Sequence, residues 1–475
     1  MAKCIAASRG WGGVTFDVTT AFLSGKSTSR QIYIRTPHEG LPALPEHGWP
    51  ALTAPRLLQI LKSAYGLTES PRLWYLEALE RLSKTPLKEL AMCKCVFAAA
   101  AAGKTWALLV LHVDDGLLLG NLKDPRFQEL RKQIDGMFKI KEWKEVTEKP
   151  QPFLGVSITR DTEGNFYDDV SQYIREIKVP ELSGQGPLDE KGISLYRQLT
   201  QRLRWPAQQT LPQLLYEVSS LAQRVNRATH EDFKEAVELY HKFKTEAEEG
   251  RAVLKYPRLD PSENYFYVSY FDASLGKEAD GKSQLGAIHF VTTEKARQRP
   301  TLAAVVEYAT NKSSRVVRSS MAAESASLSL CVDRHLYGRL VFDMLLTGIR
   351  DLKDDWRTTM SVPGGIVTDA RSLYDHMGSS GQIPTERQTM LDILVAKDHL
   401  ESRAYELFWV PTHKQYADGL TKKMKNALWE AYCKQPMISL RETESERKLE
   451  EHRARLRRDQ RQRRKERSKA PKAAA

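Results

Sequence analysis

Residues 14–23 (VTFDVTTAFL) read as a strand running into a helix start, and 31–36 (QIYIRT) alternates at period two, as a half-buried strand does. The stretch 55–83 has helical spacing, broken at Gly66 and again at Pro71. Residues 106–119 (WALLVLHVDDGLLL) place two apolar runs either side of Val113-Asp114-Asp115-Gly116, which predicts a hairpin with Asp-Gly supplying the tight turn. A helical pattern interrupted near Pro206 and Pro212 fills 195–250. From Tyr265 the pattern changes to three strands (265–272, 285–292, 302–309) and a long helix over 319–346. A strand at 365–369, helices at 371–377 and 386–402, a strand at 405–410 and a last helix from about Asp418 complete it. This order predicts a mixed α/β domain of about 160 residues.

The 475 residues are 41% hydrophobic and 28% charged, the composition of a globular chain rather than a disordered one. No apolar run approaches the roughly 18 residues of a membrane span, and the start lacks a long apolar signal region, so a membrane partner is not expected. Five cysteines give no disulfide framework and point to an intracellular protein of the cytoplasm and/or nucleus. Charge changes the picture at one place. Of the net +12, a surplus of +7 falls in 441–475, where 14 Lys or Arg stand against 7 Asp or Glu. The segment 431–475 reads as a basic, disordered or helical tail that contacts nucleic acid or import machinery, or is simply solvated.

Two acidic constellations carry candidate chemistry. Asp114 and Asp115 are adjacent like charges flanked by apolar strands, and Asp17 ends another apolar strand. A divalent cation would relieve their repulsion if the strands are neighbours; a solvent-facing Asp-Asp-Gly turn is the plain alternative. Asp272, Glu324, Asp369 and Asp418 each fall at a strand end, at a helix start or within a helix. Glu324 lies in the small-residue run MAAESAS, which lets its helix approach a sheet closely. Four unrelated surface acids are the plain alternative here.

Ten segments in order resemble the polymerase and ribonuclease H regions of copia-type (Pseudoviridae-like) retrotransposon Pol polyproteins, covering the chain to roughly Lys423. They are FDVTTAFLSG, QIYIRTPHEG, LKSAYGLTESPRLWY, LVLHVDDGLLLG, FLGVSITRD, YRQLTQRLRWPAQQTLPQLLYEVSSLAQ, SYFDAS, SSMAAESASL, GIVTDARSL and FWVPTHKQYADGLTK. The resemblance implies an α+β chain: a palm-like polymerase region with an antiparallel sheet and helices over 1–160, a helical thumb or connector over 161–260, and a ribonuclease H-like mixed α/β domain over 261–430.

It also implies catalytic, metal-holding roles for Asp17, Asp114 and Asp115 in nucleotidyl transfer, and for Asp272, Glu324, Asp369 and Asp418 in hydrolysis of an RNA–DNA hybrid. Each site would take two Mg²⁺ (or Mn²⁺) ions. Phe22, Lys62, Tyr65, Gly66, Arg72 and Trp74 would meet the template–primer or incoming nucleotide, Phe22 as the ring that excludes a ribose 2′-hydroxyl. Two departures set expectations. Only 16 residues precede Asp17, where the family carries a fingers subdomain, so a partner chain would have to supply fingers for polymerisation. His112 replaces the tyrosine of the YVDD box. Endonuclease activity on RNA–DNA hybrids is therefore expected ahead of RNA-directed DNA polymerase activity, the alternative being a non-catalytic nucleic-acid-binding relic.

Overall fold

The computed structural model describes residues 1–53, 56–276, 280–348, 356–378, 386–424, 427–441 and 448. The basic segment read from 442 onward otherwise lies outside the described residues. Two compact units form, one mainly from 2–164 and the other mainly from 165–340 with the described residues beyond 353. Among the described residues no helix is long and apolar enough to cross a membrane, and all five cysteines are free thiols.

In the first unit six strands form one sheet, in the order Lys88–Leu90, Cys93–Ala101, Lys104–His112, Asp115–Gly120, Gly12–Val18, Ile140–Glu145. Every neighbouring pair is antiparallel. The helices Ser70–Leu82 and Pro125–Met137 bury Trp74, Ala78, Leu82, Phe127, Leu130 and Ile134 against sheet residues Val14, Phe16, Leu109 and Leu118. Asp124 caps the second helix by accepting from the Arg126 amide at 2.9 Å.

Two expectations need correction here. The apolar positions of 57–62 are not helical: Leu57–Lys62 is a strand, paired antiparallel with Ser27–Arg35. Short apolar runs fit either period, and cross-strand pairing (Ile32 opposite Ile60) decides this one. The 106–119 hairpin forms, but its tight turn is Val113-Asp114, because His112 pairs with Asp115 and Leu111 with Gly116. Val113 takes the left-handed φ of +55° that such a turn requires, an uncommon state for a β-branched residue.

In the second unit a five-stranded sheet runs Ala304–Lys312, Gln284–Thr293, Tyr265–Ser274, Gly364–Thr368, Glu406–Trp409. Its first three strands are antiparallel and its last two parallel. The helix Ser320–Thr347 supplies the crossover and buries Leu328, Cys331, Val332 and Leu336 with Phe271, Ala287 and Ile366. Helices Arg371–Gly378 and Arg387–Glu401 add Leu373, Met377, Ile393 and Ala396 to the same core. The connector helices are Glu190–Gln209, Pro212–Gln223 and His230–Glu248, the last begun by a Thr229/Asp232 capping box.

Pro206 does not interrupt its helix as its sequence suggests. It lies buried within Glu190–Gln209, beside Leu203 and Ala207, and the helix closes one turn later with Thr210 N–H on the Pro206 carbonyl at 3.1 Å. Asp418 begins a single 3₁₀ turn, Asp418–Leu420, and the last helix starts only at Ala427.

Candidate functional site

Asp17 and Asp115 face each other across the Gly12–Val18 and Asp115–Gly120 strands, their Cα atoms roughly 5 Å apart as in any directly opposed pair. Opposed residues share a face, so both carboxylates leave the sheet on the same side. Asp114 joins them from the turn, where its carbonyl accepts from Val18 N–H at 2.9 Å. Asp17 is exposed; Asp114 and Asp115 are half-buried. Burial first, then the charge of Asp114 and more weakly that of Asp17, raises the Asp115 carboxyl above its ordinary range; a hydrogen bond from the Leu154 backbone works the other way. Leu154 lies in a left-handed turn (φ +53°) with Gly155.

Of the residues expected to meet nucleic acid, Lys62, Tyr65, Gly66 and Arg72 are exposed. Phe22 is half-buried, and its ring meets Tyr65 edge-on at 5.2 Å. Trp74 takes the core position that its residue type suggests rather than the surface one that the resemblance implies. It is only 2% exposed, and its indole N–H donates to the Val113 carbonyl at 2.7 Å, so it holds the acidic turn from beneath rather than touching a substrate. Replacing it in Trp74→Phe keeps a smaller aromatic ring, loses this donor and leaves space where the indole packed. The expected cost is about 2–3 kcal/mol by chemical denaturation, and a variant as stable as wild type would show that the indole does not anchor the turn.

The second cluster is more enclosed. Asp272 sits near the end of Tyr265–Ser274, and the parallel register of that strand with Gly364–Thr368 (Tyr270 opposite Val367), carried two residues on, sets Asp369 beside it. Glu324 comes from the first turns of Ser320–Thr347, where buried Ala322, Ala323, Ser325 and Ser327 bring the helix onto the strand end. Ser327 Oγ donates to the Asp272 carbonyl at 2.8 Å. Asp418 is delivered by the 3₁₀ turn. That turn fits because Asp272 is paired with Gly286, where a Cβ would lie 2.8 Å from the side chains of both Leu420 and Thr421. Gln415 ties the same segment down, donating to the Phe271 carbonyl at 2.9 Å and to Asp369 Oδ1 at 3.2 Å.

The electrostatics follow from this enclosure. Burial is the largest influence on both Asp272 and Glu324 and raises both carboxyls. Next comes Asp418 for Asp272, and Asp272 then Asp369 for Glu324. Asp418 is raised too, again mainly by burial, against the opposing pull of Lys422. One carboxylate oxygen of Glu324, Oε2, is fully enclosed and has no hydrogen-bond partner. Lys422 Nζ lies 2.7 Å from Asp418 Oδ1 and 3.7 Å from Asp272 Oδ2, and Thr421 Oγ1 donates to Asp272 Oδ2. Among the described residues no three His, Cys, Asp or Glu side chains close up into a ready-made cation cage. The donor set is nevertheless all-oxygen and anionic, and the unpaired Glu324 Oε2 is a buried acceptor that a hard cation such as Mg²⁺ would satisfy.

Sequence reasoning named all seven acids and missed the residues that hold them. Gly286, Gln415, Lys422 and the Leu154–Gly155 turn carry no acidic signal. Only the motif context of FLGVSITRD and ADGLTK pointed to the last two.

A six-stranded antiparallel sheet with acids at a hairpin, followed by helices and a mixed α/β unit with acids at its strand ends, makes this an α+β chain. Residues 1–183 match the family described as reverse transcriptase (RNA-dependent DNA polymerase). The chain is 22% identical over 458 residues to the retrovirus-related Pol polyprotein from transposon RE1 of Arabidopsis thaliana, covering 90% of this chain and 28% of that relative. It is 26% identical over 162 residues to the corresponding polyprotein from transposon TNT 1-94 of Nicotiana tabacum, covering 34% of this chain and 11% of that relative. The chain thus spans less than a third of the length of these relatives.

Among solved structures, a foamy viral protease–reverse transcriptase in complex with an RNA/DNA hybrid aligns at TM-score 0.44 and 11% identity, covering 84% of this chain and 44% of that one. Ribonuclease H1 of Halobacterium salinarum aligns at TM-score 0.23 and 13% identity, covering 33% and 94%. Over residues 1–183 the chain is thus similar to the reverse transcriptase family, and over most of its length to a retrovirus-related Pol polyprotein of a plant transposon.

Proposed function

We propose that the second unit hydrolyses the RNA strand of RNA–DNA hybrids at Asp272, Glu324, Asp369 and Asp418, and that Asp17, Asp114 and Asp115 form a separate nucleotidyl-transfer site. The observation that carries the first reading is the enclosed, unpaired Glu324 Oε2, with the Glu324, Asp272 and Asp418 carboxyls all raised above their ordinary range chiefly by burial. A pair of divalent ions, when bound, activates the attacking water and stabilises the leaving oxygen. The protein's part is to fix the four carboxylates at the sheet edge. Gln415 orients Asp369, Thr421 orients Asp272, and the small-residue face of the helix sets the depth of Glu324.

The test is cleavage of a labelled RNA–DNA hybrid with Mg²⁺ or Mn²⁺ by wild type and by Glu324→Gln, which keeps size and removes charge. The expected result is metal-dependent cleavage by wild type and a loss of more than about a hundredfold in the variant. Equal rates would remove the assignment. For the first unit, primer extension on an RNA template should vanish in Asp114→Asn. The exposed Lys62 and Arg72 support this reading as phosphate contacts, and Tyr65 as a stacking surface beside Phe22.

A further inference from the structure

The carboxylates of the second site do not face empty space. Asp272, Glu324, Asp369 and Asp418 are four acids in one crevice, two of them nearly inaccessible at 4% and 5% exposure, and the nearby cation that pairs with them is Lys422. Its Nζ spans Asp418 Oδ1 at 2.7 Å and Asp272 Oδ2 at 3.7 Å. Uncompensated charges of one sign are costly at this depth, and a charged lysine beside them lowers that cost.

We propose that Lys422 is a tethered counter-cation: its ammonium stands in for a divalent ion while the site is metal-free and is displaced when the ion enters. This assignment rests on the reading of the four acids as a metal site. Three features fit it. The Lys422 side chain is about a third exposed (32%), so it has a way out to solvent, whereas its two partners, Asp272 and Asp418, are buried. Its backbone follows Thr421, whose hydroxyl is bound to Asp272, so the ammonium is delivered to the cluster by a fixed anchor and only the flexible stem has to move. The ammonium also reaches Asp418 and Asp272 but leaves Glu324 Oε2 without a partner, so the lysine satisfies part of the oxygen set and a larger cation charge has something left to gain. Lys422 is a positioning residue in this account, since it touches the acids and no substrate.

The experiment compares full-length wild type, Lys422→Met and Lys422→Arg. Mn²⁺ binding is measured by calorimetry and thermal unfolding is followed with and without Mn²⁺. Loss of the competing ammonium should tighten Mn²⁺ binding about tenfold or more in Lys422→Met. That variant should unfold at a lower temperature than wild type in metal-free buffer, and the gap should close when Mn²⁺ saturates both. Lys422→Arg, which keeps the charge, should bind Mn²⁺ no more tightly than wild type. Equal Mn²⁺ affinity in wild type and Lys422→Met overturns the counter-cation role and leaves the metal site standing; no Mn²⁺ binding by either overturns both. Should Lys422→Met fail to fold, wild type alone decides. Acylation of Lys422 by an amine-reactive ester, read by peptide mass spectrometry, should rise when Mn²⁺ is added, and an unchanged rate overturns the proposal.

Discussion

Asp272→Asn should lose hybrid cleavage by more than about a hundredfold and, in metal-free buffer at pH 8, unfold at a higher temperature than wild type. These opposite signs follow from one cause. The folded-state pKa of Asp272 is raised above its ordinary value of 3.8, chiefly by burial and then by Asp418. Between the unfolded and the folded value the native protein binds more protons than the unfolded chain, so stability falls as pH rises through that window. Above it the folded protein carries the full cost of an ionised buried carboxylate. Asparagine keeps the shape and can still accept from Thr421, without the charge.

The stability gap between variant and wild type should therefore shrink as pH is lowered from 8 toward 5. Measuring the difference matters because the second unit also contains buried histidines. His289 is lowered by burial from 6.5 to about 3, and His335 is lowered as well. They stay neutral in the fold and withdraw stability as pH falls below 6.5, the reverse of the acids, but they are common to both proteins and cancel. A variant less stable than wild type at pH 8, or a gap that does not change with pH, would show that Asp272 is an ordinary structural carboxylate.

The second large effect is expected at Gly116. Phe16 is paired directly with Gly116, and its ring lies across that glycine: a Cβ there would fall within 2.2 to 2.5 Å of three ring carbons. The ring cannot simply retreat, because it is held at 4.5 Å from Trp143 and is 5% exposed. Gly116→Ala should therefore cost about 2–3 kcal/mol by overpacking, read by urea unfolding. In a Phe16→Leu background the same change should cost less, and the double-mutant cycle reports the coupling. Asp17 and Asp115 are the next residues along the two strands, so a ring pushed out of place splays the pair of carboxylates. A Gly116→Ala variant as stable as wild type would mean that the Phe16 ring moves freely and does not set that spacing.

Much of the second unit was legible because its strands and helices are long and strongly patterned. The segments 265–272, 285–292 and 319–346 are found as Tyr265–Ser274, Gln284–Thr293 and Ser320–Thr347. The first unit was harder to read where local signals were short. Leu57–Lys62 looked helical because apolar residues at 57, 58 and 61 satisfy a helical period, and only a partner strand settles such a run. The Asp115-Gly116 dipeptide looked like a turn because that pair commonly is one. The register instead uses Gly116 to make room for Phe16 and leaves the left-handed strain on Val113. Trp74 read as a core aromatic by residue type and as a nucleic-acid contact by its motif, and its burial beneath the turn agrees with the former.

The sequence by itself determined the long, strongly patterned elements and the identity of the seven candidate acids, because hydrophobic period and residue type are local properties carried by the chain. Tertiary structure alone decided which of those acids meet, how deeply each is buried and what neutralises them. Asp272 and Asp418 are separated by 145 intervening residues, and their shared burial depends on Gly286, on the Gln415 bonds and on Lys422, none of which declares its partner along the chain. Electrostatic cost is set by distance and solvent exclusion in space. For that reason a lysine that reads as one more surface charge becomes, once folded, the cation inside the acidic crevice.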